Sequence, residues 1–368
     1  MAYLRRFLLT LLALLGGVAA LNALIDPYDL LGSPIIIGVN QVKAPVPDQF
    51  FKPLQVSVRQ PHTVLIGTSR VMVGLDPGDV PGDDAYNLGV PAATTPEQIA
   101  LGRHAIAAAP VERIVIGLDY LSFDGPVDPP ASFRIAVLGR FAVWRALPDI
   151  LISERALLRS RDAFRLSRRG ATPTYTSEGR RRLPDLPTDP PAETARILRD
   201  VGTNATAYRQ AIAPEAVLGR FDAFLAELQV RRIAAYVFVT PAHAALLEAL
   251  DARGQRAAYE AWLGRIVEIC AARGAALWDF GGYNRITTVP MADAGAFYYD
   301  GSHFRPAVGH LILDTLLRGA ASPGFGVRLT PAMLPAYLAD QRAARAAWHD
   351  RESEDLLQIT QAALAAGG

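Results

Sequence analysis

Three residues in this chain have the types and spacing that acyl chemistry needs. Ser69 closes the stretch Thr63-Val64-Leu65-Ile66-Gly67-Thr68-Ser69, and Asp300 and His303 share the short run Asp300-Gly301-Ser302-His303. A serine hydroxyl becomes a nucleophile when a nearby base takes its proton. A histidine can be that base if a carboxylate accepts its Nδ1–H and leaves Nε2 facing outward. An aspartate three residues earlier on one tight turn can do so. The structural alternative is that Ser69 and Asp300 each cap a helix, as such residues often do, with His303 on the surface.

Residues so distant in sequence can meet only if the elements between them bring them to one place. Four β-prone residues running into Gly-Thr-Ser read as a buried parallel strand that ends in a sharp turn. Open α/β sheets bind ligands at the carboxyl ends of their strands, where Ser69 would lie. A helix starting just after Ser69 would add N–H groups and a dipole that favour an oxyanion. A short second strand follows over Ala85-Tyr86-Asn87-Leu88-Gly89, then a helix over Pro96–Ala109 and a third strand over Arg113–Asp119.

Residues 121–213 break this rhythm. Proline-rich pieces at Pro126–Pro130 and Leu183–Pro191 flank a helical, arginine-dense stretch from Phe141 to Arg182. It is too long for an ordinary crossover and reads as an insertion or cap over the sheet. Its arginines are either a solvated helix face or a contact for an acidic polymer or lipid headgroups. The rhythm then resumes with a helix over Pro214–Gln229, a strand over Arg232–Thr240 and a long helical region over Ala244–Arg273. A fifth strand over Ala275–Phe280, a loop over Gly281–Tyr299, a final helix over Pro306–Leu317 and a helical tail over 321–368 complete the chain. The alternation predicts a three-layer α/β/α domain over residues 62–320, doubly wound on a mainly parallel five-stranded sheet.

The N-terminus bears on compartment. Arg5 and Arg6 precede an uncharged run, Phe7–Ile25, long enough to span a bilayer. Basic residues on that side predict a single-pass anchor with its N-terminus in the cytoplasm and the body outside it. A signal peptide cleaved after Val18-Ala19-Ala20 is the rival. Residues 26–61, rich in Pro and Gly, read as an extended linker. A net charge of +1 gives no global field of the kind a nucleic-acid binder carries. The single cysteine, Cys270, excludes an internal disulfide and a cysteine metal site, and reads as a packed thiol. No histidine or acid spacing suggests a metal, and no cofactor is implied. His243, just after the strand ending at Thr240, either lines the pocket or starts a helix in solvent. His62 and His104 read as structural, and His310, on the final helix, reads as a packing residue.

A strand into Gly67-Thr68-Ser69, a Gly after the second strand, and Asp300-x-x-His303 before the last helix resemble the SGNH/GDSL hydrolase superfamily. With the N-terminal anchor and the form Gly-Thr-Ser-Arg, the chain is similar to the exported bacterial branch that includes alginate O-acetyltransferase-like and DltD-like proteins. The resemblance covers roughly Thr63 to Leu317, interrupted by the insertion. It implies Ser69 as nucleophile, His303 as base, Asp300 as its orienter and Gly89 as a backbone donor to the oxyanion. It also implies an esterase or O-acyltransferase of an envelope glycan, held at the inner membrane with its catalytic domain in the periplasm. Its substrate would be an acylated glycan or acyl carrier, and a membrane acyltransferase would be a natural partner.

One departure matters. The family's third block supplies an Asn side chain to the oxyanion, whereas here the strand ends in Gly117-Leu118-Asp119. An ionised Asp119 cannot donate and would repel an oxyanion. Either Asn87 or another residue supplies the donor, or turnover is weak. Asp119 would then orient Arg70 as an ion pair. The alternative function is a non-catalytic scaffold or binding subunit of an envelope-polysaccharide assembly, with a vestigial triad.

Overall fold

The computed structural model describes residues 1–82, 84–129, 138–184, 186, 189–208 and 213–366. Pro130 and residues 185, 187 and 188, within the two proline-rich pieces, lie outside the described residues. In chain order the elements are α1 (Ala2–Ile25), α2 (Asp48–Arg59), β1 (Thr63–Ile66), α3 (Ser69–Gly74), β2 (Ala85–Asn87), α4 (Thr95–Ala108) and β3 (Arg113–Leu118). There follow α5 (Ala142–Leu151), α6 (Glu154–Arg168), α7 (Pro190–Tyr208), α8 (Glu215–Val230), β4 (Ala234–Val239), α9 (Ala244–Ala252) and α10 (Arg256–Ala272). The last are β5 (Ala276–Asp279), α11 (Pro306–Leu313), β6 (Val327–Leu329), α12 (Leu334–Arg351) and α13 (Ser353–Ala365).

The protein is mixed α/β, with a six-stranded sheet in the order β2-β1-β3-β4-β5-β6. Five strands are parallel, and β6 pairs antiparallel with β5. The sixth strand corrects the expectation of five; it comes from the tail, which read as helical throughout. Val327-Arg328-Leu329 is too short to show a period, and pairing with β5 is what makes it a strand. The central strands are apolar along their length because both faces are covered: Val64, Leu65, Ile66, Ile114, Val115, Ile116, Val237 and Phe238 are all buried.

The chain divides into two compact units. The first comprises Met1–Gln60, Arg103–Pro110 and Ala131–Ser177; the second comprises Pro61–Gly102, Val111–Pro130 and Glu178–Gly368. This corrects two expectations. The linker is not simply extended, because α2 lies within it and buries Phe50, Phe51 and Leu54 in a core with Tyr28 and Ala146. Nor is the insertion one cap over the sheet: α5 and α6 pack with α1 in the first unit, while α7 belongs to the second. The long helical region over 244–273 is also broken in two, at Gly254, whose φ of +70° suits glycine.

α1 is long and apolar enough to cross a membrane. Apart from Val18 and Ala19, its residues are exposed up to Leu21. Cys270 is buried, and burial pushes its thiol up to about 12, so it remains an inert packed group.

Candidate active site

In-register parallel strands create the site. β1 pairs with β3 through Ile66 opposite Ile116, and β3 pairs with β4 through Leu118 opposite Val239. The residues just beyond these strands, Thr68, Asp119 and Thr240, therefore emerge side by side. The strand order also reverses between β1 and β3, which is where open parallel sheets leave a crevice for ligands.

Ser69 is the first residue of α3, but Thr68 is the cap. Thr68 Oγ1 accepts from the Arg70 N–H at 3.3 Å and donates to Asp119 Oδ2. The Ser69 hydroxyl is left free for another partner, and its Oγ lies 2.9 Å from His303 Nε2. His303 Nδ1 lies 2.8 Å from Asp300 Oδ2 and 3.0 Å from Oδ1. Asp300 Oδ1 also accepts the backbone N–H groups of Ser302 at 2.9 Å and His303 at 2.8 Å. Burial alone would push the Asp300 carboxyl up. The hydrogen bonds and charge of His303, with the two N–H donors, overcome that and hold it at about 2. Ser69, Asp300 and His303 are half-buried, within reach of solvent.

Two glycines let the helices beside Ser69 and His303 come close. α3 packs against α11, the helix that follows His303. A Cβ on Gly309 would fall 1.9 Å from the carbonyl oxygen of Gly74, and one on Gly74 would strike the ring of Phe304 at 2.1 Å. Only backbone against backbone allows the two helices to approach so closely.

Comparison of the chain with models of known protein families, with curated proteins and with solved structures finds no match.

The other expected pocket residues fall into place differently. Asp119 is 5% exposed and accepts from Arg70 Nη1 at 2.7 Å, from Thr68 and from Thr240 Oγ1. It anchors Arg70, whose desolvation is outweighed by the Asp119 charge, so the guanidinium is held above its ordinary value. Asn87 is fully buried, and its Nδ2 donates to the carbonyls of Val71 and Leu75, each at 2.9 Å. The Gly89 N–H, expected to face an oxyanion, donates instead to Asn87 Oδ1 at 3.0 Å. What glycine provides there is room, since a Cβ would sit 2.7 Å from the Met72 nitrogen. The Ser69 N–H, by contrast, has no hydrogen-bond partner among the described residues.

His243 neither lines the pocket nor meets solvent. It is fully buried and caps α9, with Nδ1 accepting from the Ala245 N–H at 3.2 Å and Nε2 donating to the Val289 carbonyl at 2.8 Å. Burial pushes it down to about 4. Its own backbone N–H donates to the Gly301 carbonyl at 2.9 Å, bracing the turn that carries Asp300 and His303. His310, expected to pack, pairs on the surface with Asp79 at 2.9 Å.

Sequence reasoning missed α7. Glu193, Arg196 and Asp200, at helical spacing, hold the loop before His303 at three points. Glu193 Oε2 accepts from the Gly295 N–H at 2.7 Å, Arg196 Nε donates to the Tyr299 carbonyl at 3.1 Å, and Asp200 Oδ2 accepts from Ser302 Oγ at 2.6 Å. Burial and the neighbouring Asp300 charge push the Asp200 carboxyl up. The two carboxylates thus split, with Asp300 ionised behind the imidazole and Asp200 more readily protonated. At the end of α7, Tyr208 lines the same cavity as Arg70, and burial raises its hydroxyl to about 12. Tyr120 and Tyr259 also line that cavity, of about 40 Å³. The signal in the sequence was the polar stripe at i, i+3 and i+7, which shows which face is polar but not what faces it.

Proposed function

We propose that the second unit is a serine-dependent acyl-ester enzyme of SGNH type, a hydrolase or O-acyltransferase. The observation that carries this reading is the continuous chain from Ser69 Oγ through His303 to the ionised Asp300. In the first step Ser69 Oγ bonds to the acyl carbon of an ester while His303 Nε2 takes the hydroxyl proton. The carbon–oxygen bond to the leaving alcohol then breaks, and that proton passes to the alcohol oxygen. A second hydroxyl, from water or a sugar, attacks the acyl-serine and gives its proton to His303; the bond from the acyl carbon to Ser69 Oγ then breaks, and His303 returns that proton to Ser69 Oγ. Asp300 fixes the tautomer and stays ionised throughout. The Ser69 N–H, at the positive end of α3, is the donor best placed for the oxyanion.

The strand order and the βα alternation support a three-layer, doubly wound arrangement. The basic N-terminus before α1 supports a single-pass anchor in an inner membrane with this unit in the periplasm. An acylated envelope glycan or acyl carrier as substrate, and a membrane acyltransferase as partner, suit that position. One observation favours a second reading, a non-catalytic glycan-binding subunit: Asn87, Gly89 and Asp119 are all committed to structural bonds.

A serine-reactive phosphonate separates the two. The enzymatic reading expects adduct mass on Ser69 alone, and Ser69→Ala to lower ester turnover by about 10⁴ or more. Full turnover by Ser69→Ala would sink it.

A further inference from the structure

The first unit carries exposed apolar side chains on the elements that meet the end of α1. The last turn of that helix is stitched in place: Asn22 Nδ2 donates to the Leu151 carbonyl at 2.8 Å, and Ser160 Oγ donates to Asn22 Oδ1 at 2.7 Å. Asn40 Nδ2 donates to the Leu24 carbonyl at 2.9 Å, and Lys43 Nζ to that of Ile25 at 3.3 Å. The C-terminal end of α5, the middle of α6 and the loop over 33–43 therefore all meet α1 where its exposed length ends. That length, from Tyr3 to Leu21, is roughly 30 Å, the thickness of a bilayer core.

Beside this point, in the same loop, Ile35 is 72% exposed and Ile37 88%. On α5, Phe141 at its cap and Trp144 are 63% and 73% exposed. On α6, the buried residues Ala156, Ser160, Ala163 and Ser167 mark the face turned inward. The adjoining stripe, Leu157, Arg161, Phe164 and Arg168, recurs at three- and four-residue spacing and is exposed throughout. Between 141 and 169 there are seven arginines and three acids. Arg155, Arg165, Arg168 and Arg169 have no acidic partner among the described residues.

Isoleucine, tryptophan and phenylalanine interleaved with arginine suit the boundary between acyl chains and headgroups. An acidic polysaccharide would satisfy the arginines but leave the apolar side chains in water. We propose that the first unit carries a second, peripheral membrane contact. The loop around Ile35–Ile37 and the exposed stripe of α6 lie in the anionic headgroup layer of the bilayer that α1 enters. This is independent of the acyl chemistry and rests on α1 being embedded.

The test uses the full chain in lipid nanodiscs, with spin labels at Ile36→Cys and Phe164→Cys and, for a water-exposed reference, at Val230→Cys on α8. Cys270, 1% exposed, is shielded from the reagent. Discs are made of phosphatidylcholine alone or with about 30% phosphatidylglycerol. The expected result is a several-fold higher oxygen-to-nickel collision ratio at 36 and 164 than at 230. Adding Arg161→Glu and Arg168→Glu is expected to lower the ratio at 164 in the anionic discs far more than in the neutral ones. Water-like ratios at both positions in both lipids would overturn the proposal. So would failure of the chain to co-elute with discs, or charge reversal acting equally in both lipids. A detergent-solubilised chain that binds an acidic polysaccharide, with water-like labels in discs, would assign the surface to that polymer instead.

Discussion

Asp300 and Asp119 are both aspartates just past a strand or on a turn beside the same cleft, yet their partners give them opposite tasks. Asp300 faces an imidazole and two backbone donors, so it stays ionised down to about 2. Any acid limb in a pH–rate profile above that value therefore belongs to groups other than Asp300. Asp119 faces a guanidinium and two hydroxyls and serves as the anchor of Arg70. Asp119→Asn would create the side-chain donor to the oxyanion that the proposed acyl chemistry could use, but it would also leave the largely buried Arg70 charge without its counter-ion. It is expected to cost on the order of 3 kcal/mol in urea unfolding and to lower turnover. A rise in turnover would mean that this position faces the oxyanion after all.

α3 and α11 are positioned by what their glycines lack. Gly309→Ala puts a methyl group into the Gly74 carbonyl and must separate the two helices. It is expected to destabilise by about 1–3 kcal/mol and to reduce turnover by at least about 10² even where the chain is folded, since small misplacements of reacting groups have that effect. A folded Gly309→Ala variant with unchanged turnover would show that the contact does not set the Ser69–His303 geometry. His243, the cap of α9, gives this element a pH signature. Above pH 6.5 the imidazole is neutral whether folded or unfolded. Between 6.5 and about 4 only the unfolded chain takes the proton, so stability falls as pH falls through that window and levels off below it. The loss amounts to roughly 3 kcal/mol at 1.36 kcal/mol per unit. His243→Asn keeps a capping side chain and is expected to be less stable than the parent at pH 7. Between pH 7 and 4 it should lose about 3 kcal/mol less than the parent. Equal losses, read from urea midpoints at the two pH values, would contradict a buried neutral imidazole.

At the scale of the whole molecule the open question is how the chain is held. A retained anchor predicts that the membrane-associated protein keeps residues 1–20 by intact mass and resists alkaline extraction. Leu11→Arg with Leu14→Arg places two charges near the middle of the apolar run, at about 2.5–3.5 kcal/mol each, and is expected to release the chain into the extractable fraction. A mature form beginning at Leu21 would mean instead that α1 is a signal peptide.

The sequence alone determined what depends on local pattern. Thr63–Ile66, Arg113–Leu118 and Ala234–Val239 are apolar runs bounded by turns, and they became β1, β3 and β4. Ser69, Asp300 and His303 were singled out by residue type and by position at the ends of elements, and α1 by nineteen uncharged residues. The tertiary structure alone decided what depends on neighbours distant in the chain. β6 is a strand only because β5 offers it an edge. Asp200 lies in the middle of an amphipathic helix and is indistinguishable there from a solvated residue until Ser302 comes within 2.6 Å of it. Gly89 and Gly309 are glycines because another backbone passes too close for a side chain. The physical reason is range: side-chain periodicity and turn chemistry act over a few residues, whereas which carboxylate meets which donor is fixed only when the strands close into register.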